Sequence, residues 1–201
     1  MPSVEQRQDV RQPDLGHSKD QIRVGLLNRR DQIPVDLRRQ WSQKICHSID
    51  KLIEERRLSR ILFYLSMRSE VETDWLVAKQ LTANRLVATP KVERETIRPY
   101  RLTNLQAGIN LHKLGMREPD PAICDPVDPE SLDLVLVPGC GFDLQRYRIG
   151  YGGGFYDRFL LTTCPQALTV GLTFEAQVVN QLPTQPWDQP VDLVLTEQRR
   201  I

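Results

Sequence analysis

Two neighbouring stretches decide how this chain of 201 residues folds: Leu132–Gly139, LDLVLVPG, and Arg148–Leu160, RIGYGGGFYDRFL. The first is a short apolar run closed by Pro138 and Gly139, which reads as a buried strand. The second places four of the chain's 11 glycines, Gly150, Gly152, Gly153 and Gly154, within five positions and then turns aromatic and charged. Glycine permits positive φ and close approach of the backbone to another group, at an entropic cost. That concentration predicts that something lies against the loop.

The flanking sequence alternates between helical and extended periods. SKDQIRVGLLNRRDQI (18–33) has a capping serine, Ser18, and Ile22 and Leu26 at helical spacing. Leu37, Trp41, Ile45, Ile49 and Leu52 predict a longer second helix after Pro34. Ile61–Leu65 changes to a continuous apolar run, a strand buried on both faces, and a further helix is expected from Thr73, with that threonine as its cap. RLVAT (85–89), ending before Pro90, ETIRPYRL (95–102), ALTVGLT (167–173) and VDLVLTE (191–197) read as strands. FEAQVVN (174–180) reads as a short helical turn and FYDRFLL (155–161) as a helix. The proline-rich segment 107–130 reads as an irregular excursion. Strands alternating with helices predict an α/β fold: a single three-layer α/β/α domain with a mainly parallel sheet over residues 18–201, preceded by a flexible polar tail over 1–17. Ligands of such sheets bind beyond the carboxyl ends of the strands, which singles out the loops after Leu65 and Val137.

The charge balance, 27 basic against 26 acidic side chains, argues against nucleic acid as a partner. No apolar run reaches the roughly 20 residues of a membrane span, so a cytoplasmic protein with no membrane partner is expected. Cys46, Cys124, Cys140 and Cys164 have neither paired nor regular spacing and are expected to be reduced thiols. His17, His47 and His112 have no ligand spacing.

Chemistry concentrates at the two loops and the first helix. A glycine turn entering a helix aims backbone N–H groups and the positive end of a helix dipole at one point, which suits a phosphate; a tight turn before an aromatic core helix would give the same pattern. Arg148 and Arg158 could clamp phosphate oxygens or be ordinary surface charges. Asp157 could bind Mg²⁺ or complement the helix dipole. Glu70 and Glu72 lie at the carboxyl end of the Ile61–Leu65 strand, and Lys19 and Arg23 share one helix face at i and i+4.

The block LVPGCGFDLQRYRIGYGGGFYDRFL resembles the signature of the 5-formyltetrahydrofolate cyclo-ligase family. SKDQIR, YLSMRSEVET, GMREP and VDLVLTE agree in order, so the resemblance spans Ser18–Glu197. It implies ATP-dependent closure of 5-formyltetrahydrofolate to 5,10-methenyltetrahydrofolate through a phosphorylated formyl group, with Mg²⁺ as cofactor, ATP as co-substrate and a monomeric enzyme. By the same resemblance Lys19, Arg23 and the run Arg148, Ile149, Gly150, Tyr151, Gly152, Gly153, Gly154, Phe155 and Tyr156 would hold ATP. Arg148, Tyr151 and Tyr156 would be catalytic, and Asp157 and Asp192 would bind the metal. Leu65, Glu70 and Tyr151–Phe155 would contact the folate. The alternatives are a non-catalytic nucleotide- or folate-binding module, and an isomerase or acyl-CoA transferase on a related scaffold.

Overall fold

The computed structural model describes residues 18–112, 115–162 and 166–201; the expected N-terminal tail and Cys164 lie outside them. Helix α1 (Lys19–Asp31) begins with a reciprocal cap. The Ser18 hydroxyl accepts from the Gln21 N–H at 3.3 Å and the Gln21 side chain accepts from the Ser18 N–H at 2.9 Å, so two otherwise orphaned donors are satisfied. Helix α2 (Val35–Arg56) follows, and its C-cap Arg57 adopts the left-handed conformation with φ 55°. Strand β1 (Arg60–Leu62) leads to α3 (Asp74–Thr82). The Thr73 hydroxyl does not cap α3 as expected: it donates to the Tyr64 carbonyl at 2.8 Å and ties the loop back onto the strand it left.

Strands β2 (Leu86–Glu93) and β3 (Thr96–Leu102) form an antiparallel hairpin. β2 runs through Pro90, where the sequence suggested an end. Its pairing with β1 stops at Ala88, so the missing proline donor falls where no strand needs it. The segment expected to be irregular contains a second hairpin, β4 (Ile109–Leu111) with β5 (Arg117–Pro119). Strands β6 (Leu134–Val137), β7 (Gly141–Asp143) and β8 (Arg148–Ile149) carry the chain to helix α4 (Phe155–Thr162). After β9 (Leu168–Leu172) a 3₁₀ turn at Glu175–Gln177 leads into β10 (Val178–Val179), and β11 (Leu193–Leu195) follows.

The main sheet has the order β11-β9-β6-β1-β2-β3, parallel except for the last pair. Its strands alternate between two dry faces. Leu134 and Leu136 of β6, Ile61 of β1 and Leu195 of β11 join Ile45, Ile49, Leu76 and Val77 under α2 and α3. Val135, Val137, Leu62 and Val194 point the other way, toward Phe159 of α4. Burial on both faces is why these strands read as continuous apolar runs. A second sheet, β10-β7-β8, escaped the sequence because its strands are two or three residues long. It lies against α1 through Ile22, Leu26, Cys140, Ile149 and Val179.

Phe142 joins the two sheets. Its ring is wholly buried, and a Cβ on Gly171 of β9 would sit 2.4 Å from it, one on Gly139 2.7 Å. Gly171→Ala should therefore lower stability by about 1–3 kcal/mol through overpacking, measured as a drop in thermal midpoint. An unchanged midpoint would mean that the ring can give way.

Candidate functional site

The carboxyl ends of β1 and β6 open into one large cleft of about 1240 Å³. Its first wall is the glycine turn between β8 and α4. Gly152 and Gly154 have φ of 103° and 63°, values that L-residues rarely adopt, and a Cβ on Gly153 would collide with the Phe155 ring at 2.4 Å. The turn therefore depends on its glycines for shape, and it delivers backbone toward the cleft at the start of an eight-residue helix.

Helix α1 brings Lys19 and Arg23 to the same wall. Arg23 Nε donates to the Gly150 carbonyl at 2.6 Å and its other end pairs with Asp20, while Lys19 Nζ meets Asp188 at 2.5 Å. These cations are held in place by the groups they face. Arg148 also borders the cleft, but its side chain is only 4% exposed and is no free surface charge. Its guanidinium donates to the Gln189 carbonyl and to Asp157 Oδ1, both at 2.8 Å, and Asp157 Oδ1 also accepts from the Gln189 N–H at 3.1 Å. Burial pulls the Arg148 pKa down, opposed chiefly by the Asp157 charge. Arg158 donates to the carbonyls of Glu95 and Gly153 at 2.7 and 2.9 Å, bracing the turn from outside.

Leu65 and Glu70 form a second, more apolar wall. Glu70 sits in a turn closed by its own N–H on the Met67 carbonyl, with Arg68 at φ 54°. Its carboxylate is buried, accepting from the Met67 N–H and from the Tyr151 hydroxyl, both at 3.0 Å. Burial pushes the Glu70 carboxyl above its usual range; the Met67 N–H, the Arg30 charge, the Tyr151 hydroxyl and Arg68 pull it back. Tyr151 thus crosses from the glycine turn to the opposite wall. Phe155 and Tyr156 line the cleft beside it, as do Ile149 and all four glycines of the turn.

Asp192 is the expected site residue that the structure places elsewhere. It precedes β11 at the amino ends of the strands and is absent from the cleft lining. Its Oδ2 accepts from the Thr169 N–H and hydroxyl, both at 2.8 Å, and so sets where β9 and β11 begin. Asp133 does the same before β6, accepting from the N–H groups of Ser59 and Arg60. The repeated DLVL of residues 133–136 and 192–195 is thus a register device. Asp188 is the aspartate that lines the cleft from this part of the chain.

Sequence reasoning also missed Arg30, buried behind Glu70 and Tyr151, and the β4–β5 hairpin, which contributes His112, Arg117 and Glu118 to the cleft. Arg117 is latched to both carboxylate oxygens of Asp74 and to the Ser66 carbonyl. The PWD tripeptide that ends in Asp188 was the one local signal for that residue; Arg30 had none, standing among other charges of α1.

A doubly covered parallel sheet with a polar, glycine-walled cleft at its carboxyl edge places the chain among α/β proteins whose ligands bind beyond the strand ends. Within that class it belongs to the 5-formyltetrahydrofolate cyclo-ligase family, whose profile matches residues 16–197. It is 29% identical over 178 residues to the 5-formyltetrahydrofolate cyclo-ligase of Haemophilus influenzae, covering 86% of this chain and 94% of that one. The mouse 5-formyltetrahydrofolate cyclo-ligase is 27% identical over 194 residues, 91% and 95% of the two chains. The solution structure of Aquifex aeolicus 5,10-methenyltetrahydrofolate synthetase superposes with a TM-score of 0.79 at 33% identity, covering 90% of this chain and 91% of that one. The expected family and the α/β fold are both borne out; the protein is a ligase.

The glycines of the turn divide by cause. Gly154→Ala needs left-handed alanine and should destabilise by about 1–2 kcal/mol. A Cβ on Gly150 meets nothing within 4 Å, so Gly150→Ala should leave the thermal midpoint in place. Equal midpoints for both variants would contradict the assigned backbone.

Proposed function

We propose that the protein closes 5-formyltetrahydrofolate to 5,10-methenyltetrahydrofolate with conversion of ATP to ADP and phosphate. The observation that carries this reading is that the glycine turn with Lys19 and Arg23, and the apolar wall with Leu65 and Glu70, border one continuous cleft. Its volume of about 1240 Å³ exceeds the roughly 300–1,000 Å³ typical of a site for one drug-sized ligand, which supports two substrates lying side by side. The activity for which the family is named points the same way.

In this reading the turn and the two cations receive the triphosphate, and Glu70 accepts hydrogen bonds from the donor edge of the pterin. The formyl oxygen attacks the γ-phosphorus and ADP leaves. The neighbouring folate nitrogen then attacks the activated carbon, its proton is released, a C–N bond forms, and phosphate departs as the C–O bond breaks. Such a sequence asks the protein for in-line positioning and charge compensation rather than a covalent intermediate. Tyr151 and Tyr156 wall the reacting centre, Tyr151 being tied to the folate end through Glu70. Arg148 would act by holding Asp157 and the start of α4.

Magnesium commonly takes one or two carboxylates together with phosphate oxygens. Asp157 and Asp188 fit that requirement: both line the cleft, linked through the Gln189 N–H, and each offers hard oxygen donors. Asp192 does not fit, being committed to Thr169 at the far end of the sheet. A bound Mg²⁺ would compensate charge on the phosphate oxygens.

Absorbance in the methenyl band, followed with 5-formyltetrahydrofolate and Mg²⁺ with and without ATP, tests the reading directly. A rise that needs ATP, with ADP formed in equal amount, is expected; binding of either ligand without turnover would favour the non-catalytic module. The two aspartates should separate in the same assay. Asp157→Asn should lower turnover at least about tenfold with an altered Mg²⁺ requirement. Asp192→Ala should cost about 1 kcal/mol of stability and leave the Mg²⁺ titration where it was. A shifted Mg²⁺ titration in the Asp192 variant would return that residue to the metal.

A further inference from the structure

Arg30 is the most thoroughly buried cation among the described residues, 2% exposed in the last turn of α1. It does not line the cleft but lies directly behind it. Nε donates to the Ser69 hydroxyl at 2.9 Å and Nη2 to the Tyr151 hydroxyl at 3.2 Å, while Nη1 is buried without a hydrogen-bond partner. Ser69 in turn donates to Asp31. The Tyr151 hydroxyl therefore stands between the guanidinium and Glu70, accepting from one and donating to the other at 3.0 Å.

A buried guanidinium with an unmade hydrogen bond is expensive, and an apolar residue of similar volume would often serve stability as well. The favourable end of a helix dipole offsets part of that cost. It does not explain why this side chain reaches a site tyrosine and a loop serine 121 and 39 residues away in sequence. We propose that Arg30 is a positioning residue for the folate end of the cleft, fixing Tyr151 and the Glu70 loop together and keeping Glu70 a carboxylate able to receive the pterin. The proposal rests on the folate reading of Glu70.

The groups facing Glu70 support it. Arg30 comes from α1 and Arg68 from its own loop; Tyr64 follows β1, Tyr151 belongs to the glycine turn, and Cys140 follows β6. Burial raises Tyr64 and Tyr151 well above neutrality and pushes Cys140 up to about 11, so all three are neutral near pH 7. The arginines are left as the compensating charges, and Arg30 acts more strongly than Arg68. With Glu70 required as a carboxylate, kcat/KM for the folate falls as pH drops through its pKa. Removing the Arg30 charge raises that pKa and moves the acid limb to higher pH.

The test compares Arg30→Met and Arg30→Lys in steady-state kinetics across pH. Arg30→Met should raise KM for 5-formyltetrahydrofolate about tenfold, leave KM for ATP within about twofold, and move the acid limb to higher pH. Arg30→Lys keeps the charge but loses the planar fork. Its limb should stay near that of the parent enzyme while KM for the folate still rises. A folded Arg30→Met enzyme with parental folate KM and limb overturns the proposal, as does an equal rise in both KM values with an unmoved limb. If Arg30→Met does not fold, a parental folate KM in Arg30→Lys overturns it instead. Glu70→Gln separates the two levels: an unchanged folate KM there overturns the folate reading and this proposal with it, whereas a raised one confines any failure to Arg30.

Discussion

The wedge of Phe142 between Gly139 and Gly171 is the contact on which the placement of the cleft depends. Dense packing leaves no slack at such a point. The ring inserts where two glycines expose bare backbone, and that insertion sets the small sheet against the large one. Its neighbour Gly141 approaches Leu26 of α1 and the Gln177 carbonyl, where a Cβ would lie within 2.5 and 2.7 Å. Asp143, wholly buried, accepts from the N–H groups of Gln145, Tyr147 and Leu182 and fixes the loop that follows. From this three-residue strand the chain is aimed through β8 into the glycine turn. A displacement at Phe142 would be felt at Gly150–Gly154, although none of those glycines touches its ring.

The cleft has two electrical characters in one volume. At the glycine wall every cation is already answered by an acid or a carbonyl: Lys19 by Asp188, Arg23 by Asp20 and Gly150, Arg148 by Asp157. Charges held this way lose little side-chain freedom when an anion arrives, which favours binding by preorganisation. At the Glu70 wall the sign is reversed, with a buried carboxylate held by the Met67 N–H and the Tyr151 hydroxyl and, behind that hydroxyl, the hidden Arg30 guanidinium. Tyr151 spans the two.

Most of the main sheet was legible because burial on both faces leaves a strong mark: the apolar runs at Leu134–Val137 and Ile61–Leu65 both mark inner strands, although the second, β1, ends at Leu62. Helix α1 declared itself by period and cap, and α2 by its period alone. Strands as short as Arg148–Ile149 are shorter than any period and leave no signal. The β4–β5 hairpin was hidden by the prolines at its end, the first of which, Pro119, is its last paired residue opposite Ile109. Thr73 was misread because a threonine hydroxyl serves equally well as cap or as tie, and the nearby Tyr64 carbonyl decided which. In the cleft, the glycine turn stood out by its concentration of glycines, whereas Glu70 and Lys19 were charges that only the resemblance assigned a role. Asp192 was placed by resemblance, and the strand geometry gives it to Thr169 instead. Arg30 was invisible because its partners are remote in sequence.

Lys19 and Asp188 meet across 169 residues. The glycine wall of the cleft is thus drawn from opposite ends of the described chain, with β11 at the sheet edge following directly after. During synthesis α1 emerges well before Asp188, and Lys19 must wait for its partner while Arg23 already has Asp20 on the same helix. Contacts of this span close late. A chain ending before Asp188 would hold most of the hydrophobic core and the Glu70 pocket, yet leave Lys19 and the glycine wall of the cleft without that partner. The order of elements along the chain therefore makes completion of the cleft one of the last events of folding.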